Sequence, residues 1–310
     1  MPYPIEKKFV IAVSSSALFD MVACNRIFEE QGLNAYNDYQ MEHIDDPLPQ
    51  GVAFPFIRRF LTLNDSFPDE QPVEVVLLSK NSPECGLRAM RSIKHYGLNI
   101  TRAHFSSGMN NYHYLPAFNA TLFLSANSND TREAIKAGYA AGTVLNQHIV
   151  DNPIDKELRL AFDFDGVIAD DSAETVYQKE GMEKYMDHEQ MLKDIPLNGG
   201  PIGDLLKKIS GFQKLEIRKN KKDPSYQPIL NTAIITARNA PAHERVVSTL
   251  KNMNINVNQV FFLGGIDKSR ILTILKPHIF FDDQIRHLEG TASKIPSVLI
   301  PFGIRNEKKI

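Results

Sequence analysis

Cysteine, surplus charge and long apolar runs are all scarce in this sequence. Only Cys24 and Cys85 occur, too few for a disulfide framework, and this indicates a reducing compartment. Lys and Arg number 35 against 37 Asp and Glu, so no basic surplus suggests nucleic-acid binding. Apolar runs such as Val73–Leu78 fall far short of the ~20 residues of a membrane span, and Met1–Lys8 precedes no signal-peptide core. We therefore expect a soluble, cytoplasmic protein that contacts neither nucleic acid nor membrane.

The chain of 310 residues repeats itself once. A shift of 149 residues places Ile11–Leu18 on Leu160–Val167, and a shift of 157 residues places Val76–Ser79 on Ala233–Thr236. The eight-residue difference between the shifts falls in the polar stretch Lys214–Pro228, which we interpret as a loop insertion. Because a chain of this length has room for two domains, the repeat predicts two related halves.

We place the halves at residues 1–150 and 156–305, joined at Asn146–Lys156. In both, short apolar runs alternate with longer amphipathic stretches, a pattern typical of βα units and a parallel sheet. Helical stretches at Met21–Asp46 and Ser172–Asp194 are candidate caps over the sheets, and we expect a cap insertion at about 171–228. The predicted fold class is α/β. The predicted strands are Phe9–Val13, Val73–Leu78, Ala103–Phe105, Thr121–Leu124, Thr143–Leu145, Leu158–Phe162, Thr232–Ile235, Val260–Leu263, Ile279–Phe281 and Ser297–Ile300.

Two carboxylates follow the first predicted strand of the second half. Asp163 and Asp165 come directly after Leu158–Phe162, and a turn through Gly166 allows both to face one ligand. Open α/β sheets bind ligands at the carboxyl ends of their strands, and two adjacent carboxylates repel unless a cation or a proton separates them. On this motif alone, an Asp-Gly turn with capping aspartates remains an alternative.

Other predicted strands of this half also end in polar residues. Thr236 adds a hydroxyl, Lys268 a positive charge, and Asp282 and Asp283 two more carboxylates. Oxygen ligands without an arrangement of His or Cys favour a hard cation, and Mg²⁺ is the usual one in phosphate chemistry. The histidines lack metal-ligand spacing, and we interpret them as solvated or core residues: His43, His95, His243 and His287.

This set of motifs resembles the haloacid dehalogenase superfamily of phosphohydrolases, and the whole chain is similar to the cytosolic 5'-nucleotidase type I family. The similarity runs from near residue 9 to about 303. It implies internally duplicated Rossmann-like units with parallel sheets and helical caps. The segments that carry it include VSSSALFD (Val13–Asp20), PLPQGVAFP (Pro47–Pro55), FDFDGVIADDSAE (Phe162–Glu174), TARNAPAHERV (Thr236–Val246), FFLGGIDK (Phe261–Lys268) and FDDQ (Phe281–Gln284).

The resemblance implies a Mg²⁺-dependent 5'-nucleotidase that prefers AMP-like nucleoside monophosphates. It assigns the attack on phosphorus, through an aspartyl-phosphate, to Asp163, and the acid–base steps to Asp165. The metal ligands would be Asp163, the main-chain carbonyl of Asp165, and Asp282 or Asp283. Thr236 and Lys268 would hold the phosphoryl oxygens. The oligomeric state is left open, a homo-oligomer included.

The first half has lost the charged members of this set. Without them it has no evident means of holding Mg²⁺ or of forming an aspartyl-phosphate, so we interpret it as degenerate. It would pack on the catalytic half, contribute Ser14 and Ser16 to the substrate pocket, or bind a nucleotide effector. The two shifts pair Ser14 with Asp163, Ser16 with Asp165, Ser79 with Thr236, Asn111 with Lys268, Ser125 with Asp282 and Ala126 with Asp283.

Arg238, two residues after Thr236, would either bind the substrate phosphate or pair with a neighbouring carboxylate. Two other functions compete with the leading one: a phosphatase of another small phosphomonoester, such as a sugar phosphate, and a non-catalytic nucleotide-binding regulator. Intact Asp163 and Asp165 disfavour the regulator, because a protein that only binds needs no nucleophile.

Overall fold

A computed structural model describes residues 3–145, 151–291 and 294–306. The chain divides into two compact units, Met1–Pro153 (unit 1) and Ile154–Ile310 (unit 2). The division falls inside the predicted junction, of which residues 146–150 lie outside the described part. Among the described residues, none of the helices combines the length and the apolar character that crossing a bilayer requires.

Unit 1 is a five-stranded parallel sheet with helices between its strands. The strand order is β3-β2-β1-β4-β5, and the central strand β1 pairs with β2 and β4. Short 3₁₀ helices lie at Ile5–Lys7, Tyr112–Tyr114 and Pro116–Phe118. The other elements are β1 (Phe9–Val13), α1 (Ser15–Leu18), α2 (Val22–Glu42), α3 (Phe54–Ser66), β2 (Val73–Ser79), α4 (Pro83–His95), β3 (Arg102–Phe105), β4 (Ala120–Ser125), α5 (Ser128–Lys136) and β5 (Ala141–Val144).

Unit 2 repeats this arrangement. Its parallel strands have the order β8-β7-β6-β9-β10, which is the order of unit 1 with each strand replaced by its counterpart in the repeat. Its elements are β6 (Leu158–Phe162), α6 (Ser172–Met191), α7 (Gly203–Lys222), β7 (Leu230–Thr236), α8 (His243–Asn252), β8 (Gln259–Phe262), α9 (Lys268–Leu275), β9 (Ile279–Asp282), α10 (Ile285–Glu289) and β10 (Ser297–Leu299).

The predicted fold class is confirmed: α/β, parallel and internally duplicated. All ten predicted strands are present, and their ends differ from the predicted ones by at most two residues. The central strands are buried on both faces, as in β1, where all five residues are buried. Parallel strands covered by helices on both sides read as continuous apolar runs, and this explains why the sequence revealed them.

A helix with the same kink follows the first strand of each unit. Helix α2 is interrupted at Gly32 (φ 86°, ψ -176°) and helix α6 at Gly181 (φ 85°, ψ -179°). These dihedrals belong to a region that only glycine occupies readily. The two glycines are 149 residues apart, so the repeat extends to the backbone geometry of the candidate caps.

The polar stretch predicted as a loop, Lys214–Pro228, is a loop only in its last part. Helix α7 continues to Lys222, because the added residues are good helix formers and lysines at the last turn complement the helix dipole. The same helix packs on the sheet, with Gln213 Nε2 donating to Thr232 Oγ1 at 3.0 Å. Although α7 lies within the cap range predicted at 171–228, it therefore contacts the sheet. That α6 forms the cap of unit 2 stays a prediction.

Candidate active site

The candidate residues of unit 2 meet at the carboxyl ends of its parallel strands. Asp163 and Asp165 follow β6, Thr236 and Asp282 are the last residues of β7 and β9, and Lys268 opens α9. Gly166 turns the chain after β6 with a φ of 72°, which favours glycine. The parallel arrangement thus brings together residues that are up to 120 positions apart in the sequence.

Lys268 lies between two of the carboxylates. Its Nζ is 2.9 Å from Asp163 Oδ1 and 2.7 Å from Asp282 Oδ2, and all three side chains are buried. Burial by itself would lower the pKa of Lys268, but the two carboxylates raise it above its usual value. The lysine therefore remains a cation, fixed at the strand ends, as a group that binds phosphoryl oxygens must be.

The cluster holds more negative charge than this lysine neutralises. Burial raises the pKa of Asp283, and the neighbouring Asp163 raises it further. Burial likewise raises the pKa of Asp163, against the opposing effect of Lys268. Asp283 Oδ1 is buried and has no hydrogen-bond partner among the described residues. A buried carboxylate oxygen of this kind is costly unless a cation or a proton accompanies it.

Arg238 realises the second of its two predicted alternatives. Its guanidinium binds both oxygens of Asp165, with Nε at 2.8 Å from Oδ2 and Nη2 at 2.7 Å from Oδ1. Nη1 donates to Glu189 Oε2 on α6 and to the carbonyl oxygen of Ala242 at 3.3 Å. The side chain is 2% exposed. Arg238 pairs with carboxylates in this structure, and substrate binding by Arg238 stays a prediction.

A cavity of about 650 Å³ opens over these groups. Its floor includes Asp163, Asp165, Thr236 and Lys268, whereas Asp282 and Asp283 lie behind them and do not line it. One wall comes from helix α6 and is largely aromatic and thioether in character: Tyr177, Met182, Tyr185 and Met186. All of the lining residues belong to unit 2, so the cavity joins a charged floor to an apolar wall within one unit.

Several site residues were missed by the sequence analysis. Glu189 is fully buried on α6, although nothing in its polar helical surroundings marks it. His287, interpreted as solvated or core, has Nδ1 3.2 Å from both carboxylate oxygens of Asp282. With Asp163 these two form a group whose ligand atoms lie within 4.8 Å of one another. A search of the residues just after each predicted strand would have found His287, because α10 begins three residues beyond Asp282.

The counterpart positions of unit 1 are neutral, as the repeat predicts. Ser14 Oγ accepts from the backbone N of Ala17 at 3.1 Å and lies 3.1 Å from Ser16 Oγ. Ser79 Oγ lies 2.9 Å from Ser15 Oγ, and Asn111 is buried. The hydroxyls of Ser14 and Ser79 therefore have local partners within unit 1, and substrate binding by Ser14 and Ser16 stays a prediction.

Comparison with known proteins identifies the family. Residues 1–307 match the family described as 5'-nucleotidase. The human protein cytosolic 5'-nucleotidase 1B is 35% identical over 305 residues, which cover 96% of this chain and 49% of that protein. The chain thus spans about half the length of this curated relative. A solved structure, the S. aureus MnaA-UDP co-structure, has 10% sequence identity and a TM-score of 0.18 over 92% of this chain and 76% of that one, too low to carry an argument. The family match and the human relative together show that this chain belongs to the 5'-nucleotidase family.

Proposed function

We propose that this protein hydrolyses nucleoside 5'-monophosphates, AMP-like ones preferred, to a nucleoside and inorganic phosphate. The observation that carries the proposal is the position of Asp163: it is buried, follows β6, is paired with Lys268 and lies on the floor of the cavity. A nucleophile fixed beside a cation at strand ends suits phosphoryl transfer, in which positioning and electrostatic stabilisation supply most of the catalysis.

The proposed chemistry has two steps. Asp163 Oδ1 is held by Lys268 Nζ and by the backbone N of Phe164 at 2.7 Å, so Oδ2 is the oxygen that attacks phosphorus. As the new O–P bond forms, the bond from phosphorus to the ribose O5' breaks. Asp165 gives O5' a proton that it carries on one oxygen, while its other oxygen still accepts from Arg238. Asp165 then removes a proton from the water that hydrolyses the aspartyl-phosphate, and this regenerates Asp163.

The residues present fit a Mg²⁺ ion. Asp163, the main-chain carbonyl of Asp165 and Asp283 would hold it, because the buried Oδ1 of Asp283 has no other partner among the described residues. Asp282 is the weaker candidate, since Lys268 and the backbone N of Gln284 already bind its oxygens at 2.7 and 2.8 Å. When bound, Mg²⁺ supplies positive charge that offsets the negative charge developing on the phosphoryl group. Thr236 and Lys268 would bind the phosphoryl oxygens.

The apolar wall of the cavity favours a nucleoside over a small sugar phosphate. Tyr177 and Tyr185 on α6 stand edge to face, with ring centroids 6.0 Å apart. Met182 and Met186 extend the same wall. Aromatic rings and thioethers suit the planar, weakly polar surface of a nucleobase, whereas a sugar phosphate offers mainly hydroxyls.

A location in the cytosol, where the human relative's name places that protein, would suit two buried cysteines that are both free. Binding of a nucleotide effector and formation of a homo-oligomer stay predictions.

The test is phosphate release from a panel of nucleoside monophosphates and sugar phosphates, with Mg²⁺ and with EDTA. We expect metal-dependent release that is fastest for AMP or a closely related monophosphate. Release mainly from sugar phosphates would support the proposed hydrolysis but show that nucleoside monophosphates are not the preferred substrates. If no compound of the panel releases phosphate, the catalytic proposal is wrong and the regulatory alternative takes its place.

A further inference from the structure

The two units repeat one another in a hydrogen-bonded network beneath the candidate cap helices. In unit 2, Arg245 Nε donates to the carbonyl oxygen of Ile195 at 2.9 Å and Nη1 donates to Glu189 Oε1 at 2.7 Å. In unit 1, Arg88 Nε donates to the carbonyl oxygen of Asp46 at 2.9 Å and Nη1 donates to Gln40 Oε1 at 3.1 Å. The shifts of 149 and 157 residues relate each of these partners to its counterpart. The network therefore ties α2 to α4 in unit 1 and α6 to α8 in unit 2.

Both units share the hydrogen bond to this arginine, but only in unit 2 is its acceptor charged. The fold needs an oxygen acceptor for the arginine on α4 or α8, and the neutral side chain of Gln40 meets that need in unit 1. A carboxylate occupies the position only in unit 2, where Glu189 is fully buried. Burying a charge is costly without a compensating partner, so the carboxylate calls for a separate explanation.

Arg238 supplies that explanation. The shift of 157 residues places it opposite Asn81, and the shift of 149 residues places Asp165 opposite Ser16. The charges of Asp165, Arg238 and Glu189 are thus all present in unit 2 and all replaced by neutral groups in unit 1. In unit 1 the Asn81 Oδ1 accepts instead from the hydroxyl of Tyr36 at 3.1 Å. The charges of Arg238 and Glu189 therefore occur only in the half of the chain in which Asp165 is also charged.

We propose that Glu189 is a positioning residue for Asp165: it fixes the guanidinium of Arg238, which in turn holds the Asp165 carboxyl in place through an oxygen that is not carrying the proton. The proposal rests on the proposed function, in which Asp165 gives its proton to the leaving O5' atom. Arg238 is the link, since its Nη1 binds Glu189 while Nε and Nη2 bind Asp165. Glu189 itself lies on α6, so this helix contributes to the position of the Asp165 carboxyl.

The substitution Glu189→Gln tests this, because Gln40 at the equivalent position of unit 1 retains the bond to Arg88, the counterpart of Arg245. The readout is kcat/KM for AMP beside kcat/KM for p-nitrophenyl phosphate, since kcat/KM covers the steps up to departure of the leaving group. The ribose O5' needs a proton as it leaves, whereas p-nitrophenolate leaves without one. We expect a loss of about 10- to 100-fold for AMP and of less than about threefold for p-nitrophenyl phosphate, because a misplaced acid affects only the reaction that needs it.

Two further variants make the result specific. Glu216→Gln is the matched control, because Glu216 is equally buried but binds the backbone N atoms of Ile229 and Leu230 in the sheet layer. It should leave both kcat/KM values within about twofold of wild type, as expected for a site without contact to the acid–base group. In an Arg238→Asn background, Glu189→Gln should cause no further loss for AMP, because the link through which it acts is already gone.

Equal losses for the two substrates, or no loss for either, would overturn the positioning role. A further loss for AMP in the Arg238→Asn background would overturn it as well. If Glu189→Gln alone fails to fold, the double variant Glu189→Gln/Arg238→Asn, which carries the neutral pair of unit 1, takes its place, and the same selective loss for AMP is required. Asp165→Asn distinguishes failure of the positioning role from failure of the proposed function. If Asp165→Asn keeps wild-type activity on AMP, Asp165 is not the acid. If Asp165→Asn loses activity on AMP but Glu189→Gln does not, only the positioning role is refuted.

Discussion

Asp283 lies directly against Gly166, so closely that a Cβ on the glycine would come within 2.7 Å of Asp283 Oδ2. The turn after β6 and the end of β9 thus enclose a carboxylate whose other oxygen has no partner among the described residues. This contact explains why a glycine follows Asp165, beyond its positive φ. The unpartnered oxygen makes Asp283 a suitable position at which to test the proposed metal binding.

Asp283→Asn should stabilise the metal-free protein and remove its response to Mg²⁺. Burial raises the pKa of Asp283 to about 9, so the metal-free protein must bind a proton at this carboxyl when it folds at neutral pH. An amide avoids that cost, so the melting temperature in EDTA should rise. Wild type should melt at a higher temperature when Mg²⁺ is added, because the ion binds only the folded state, and the variant should not. Thermal melts of both proteins with and without Mg²⁺ measure this.

Asp282→Asn serves as the comparison for that experiment. It removes a partner of the buried Lys268, so its melting temperature in EDTA should fall rather than rise. A full Mg²⁺-induced shift in Asp283→Asn would show that Asp283 is not a ligand of the ion.

Asp163→Asn should abolish phosphate release while AMP still binds. The amide cannot form the covalent intermediate, but Lys268, Thr236 and the apolar wall of the cavity remain. Calorimetric titration with AMP and a phosphate-release assay, both with Mg²⁺, measure the two properties. The same exchange at the exposed Asp223 should change neither, and turnover by Asp163→Asn near the wild-type rate would mean that another group attacks phosphorus.

Gly181→Ala should destabilise the protein by about 1–3 kcal/mol, the usual cost of a non-glycine residue in this region of backbone space. It should also lower kcat/KM for AMP, because Gly181 sets the direction of the part of α6 that carries Tyr185 and Glu189. Gly32→Ala imposes the same strain at the equivalent kink of α2. We expect it to cost similar stability with no change in kcat/KM, and equal effects of the two variants on kcat/KM would contradict the assignment of the cap to α6.

The stabilisation that Glu189 provides should disappear in acid. Burial would raise the pKa of this carboxyl, but Arg238 and Arg245 lower it below its usual value, while His188 Nδ1 lies 3.1 Å from Oε1. A lowered folded-state pKa stabilises the fold above the unfolded pKa of about 4.3, and this contribution is lost as the pH falls through the folded-state value.

At pH 7, Glu189→Gln should therefore unfold with a free energy about 1.5–3 kcal/mol lower than wild type, the range for a hydrogen bond to a charged group. The difference between the two proteins should narrow progressively below about pH 4.3, where Glu189 of the unfolded wild-type chain takes up a proton while the folded carboxyl, with its lowered pKa, is still ionised. Denaturant titrations of both proteins from pH 7 to pH 3 measure it. A difference independent of pH would mean that the carboxylate charge contributes nothing to stability.

The sequence by itself was sufficient to predict the α/β fold and the polar residues that meet at the strand ends. Apolar runs fixed the ten strands, because strands buried on both faces leave that pattern, and the repeat fixed the equivalence of Asp163 with Ser14 and of Lys268 with Asn111. Polar residues that end parallel strands must meet at one edge of a sheet, so the meeting of Asp163, Thr236 and Asp282 followed from the strand ends. Glu189 and His287 did not follow from them.

Only the tertiary structure decided which of these charges pair. Glu189 stands 49 residues before Arg238, and Asp165 stands 73 residues before it, on separate elements. No local periodicity links them, and a glutamate in a polar helix looks the same whether it is buried or solvated. Such contacts depend on how helices lie over the sheet, and that arrangement is set by the summed burial of many side chains rather than by any short stretch of sequence.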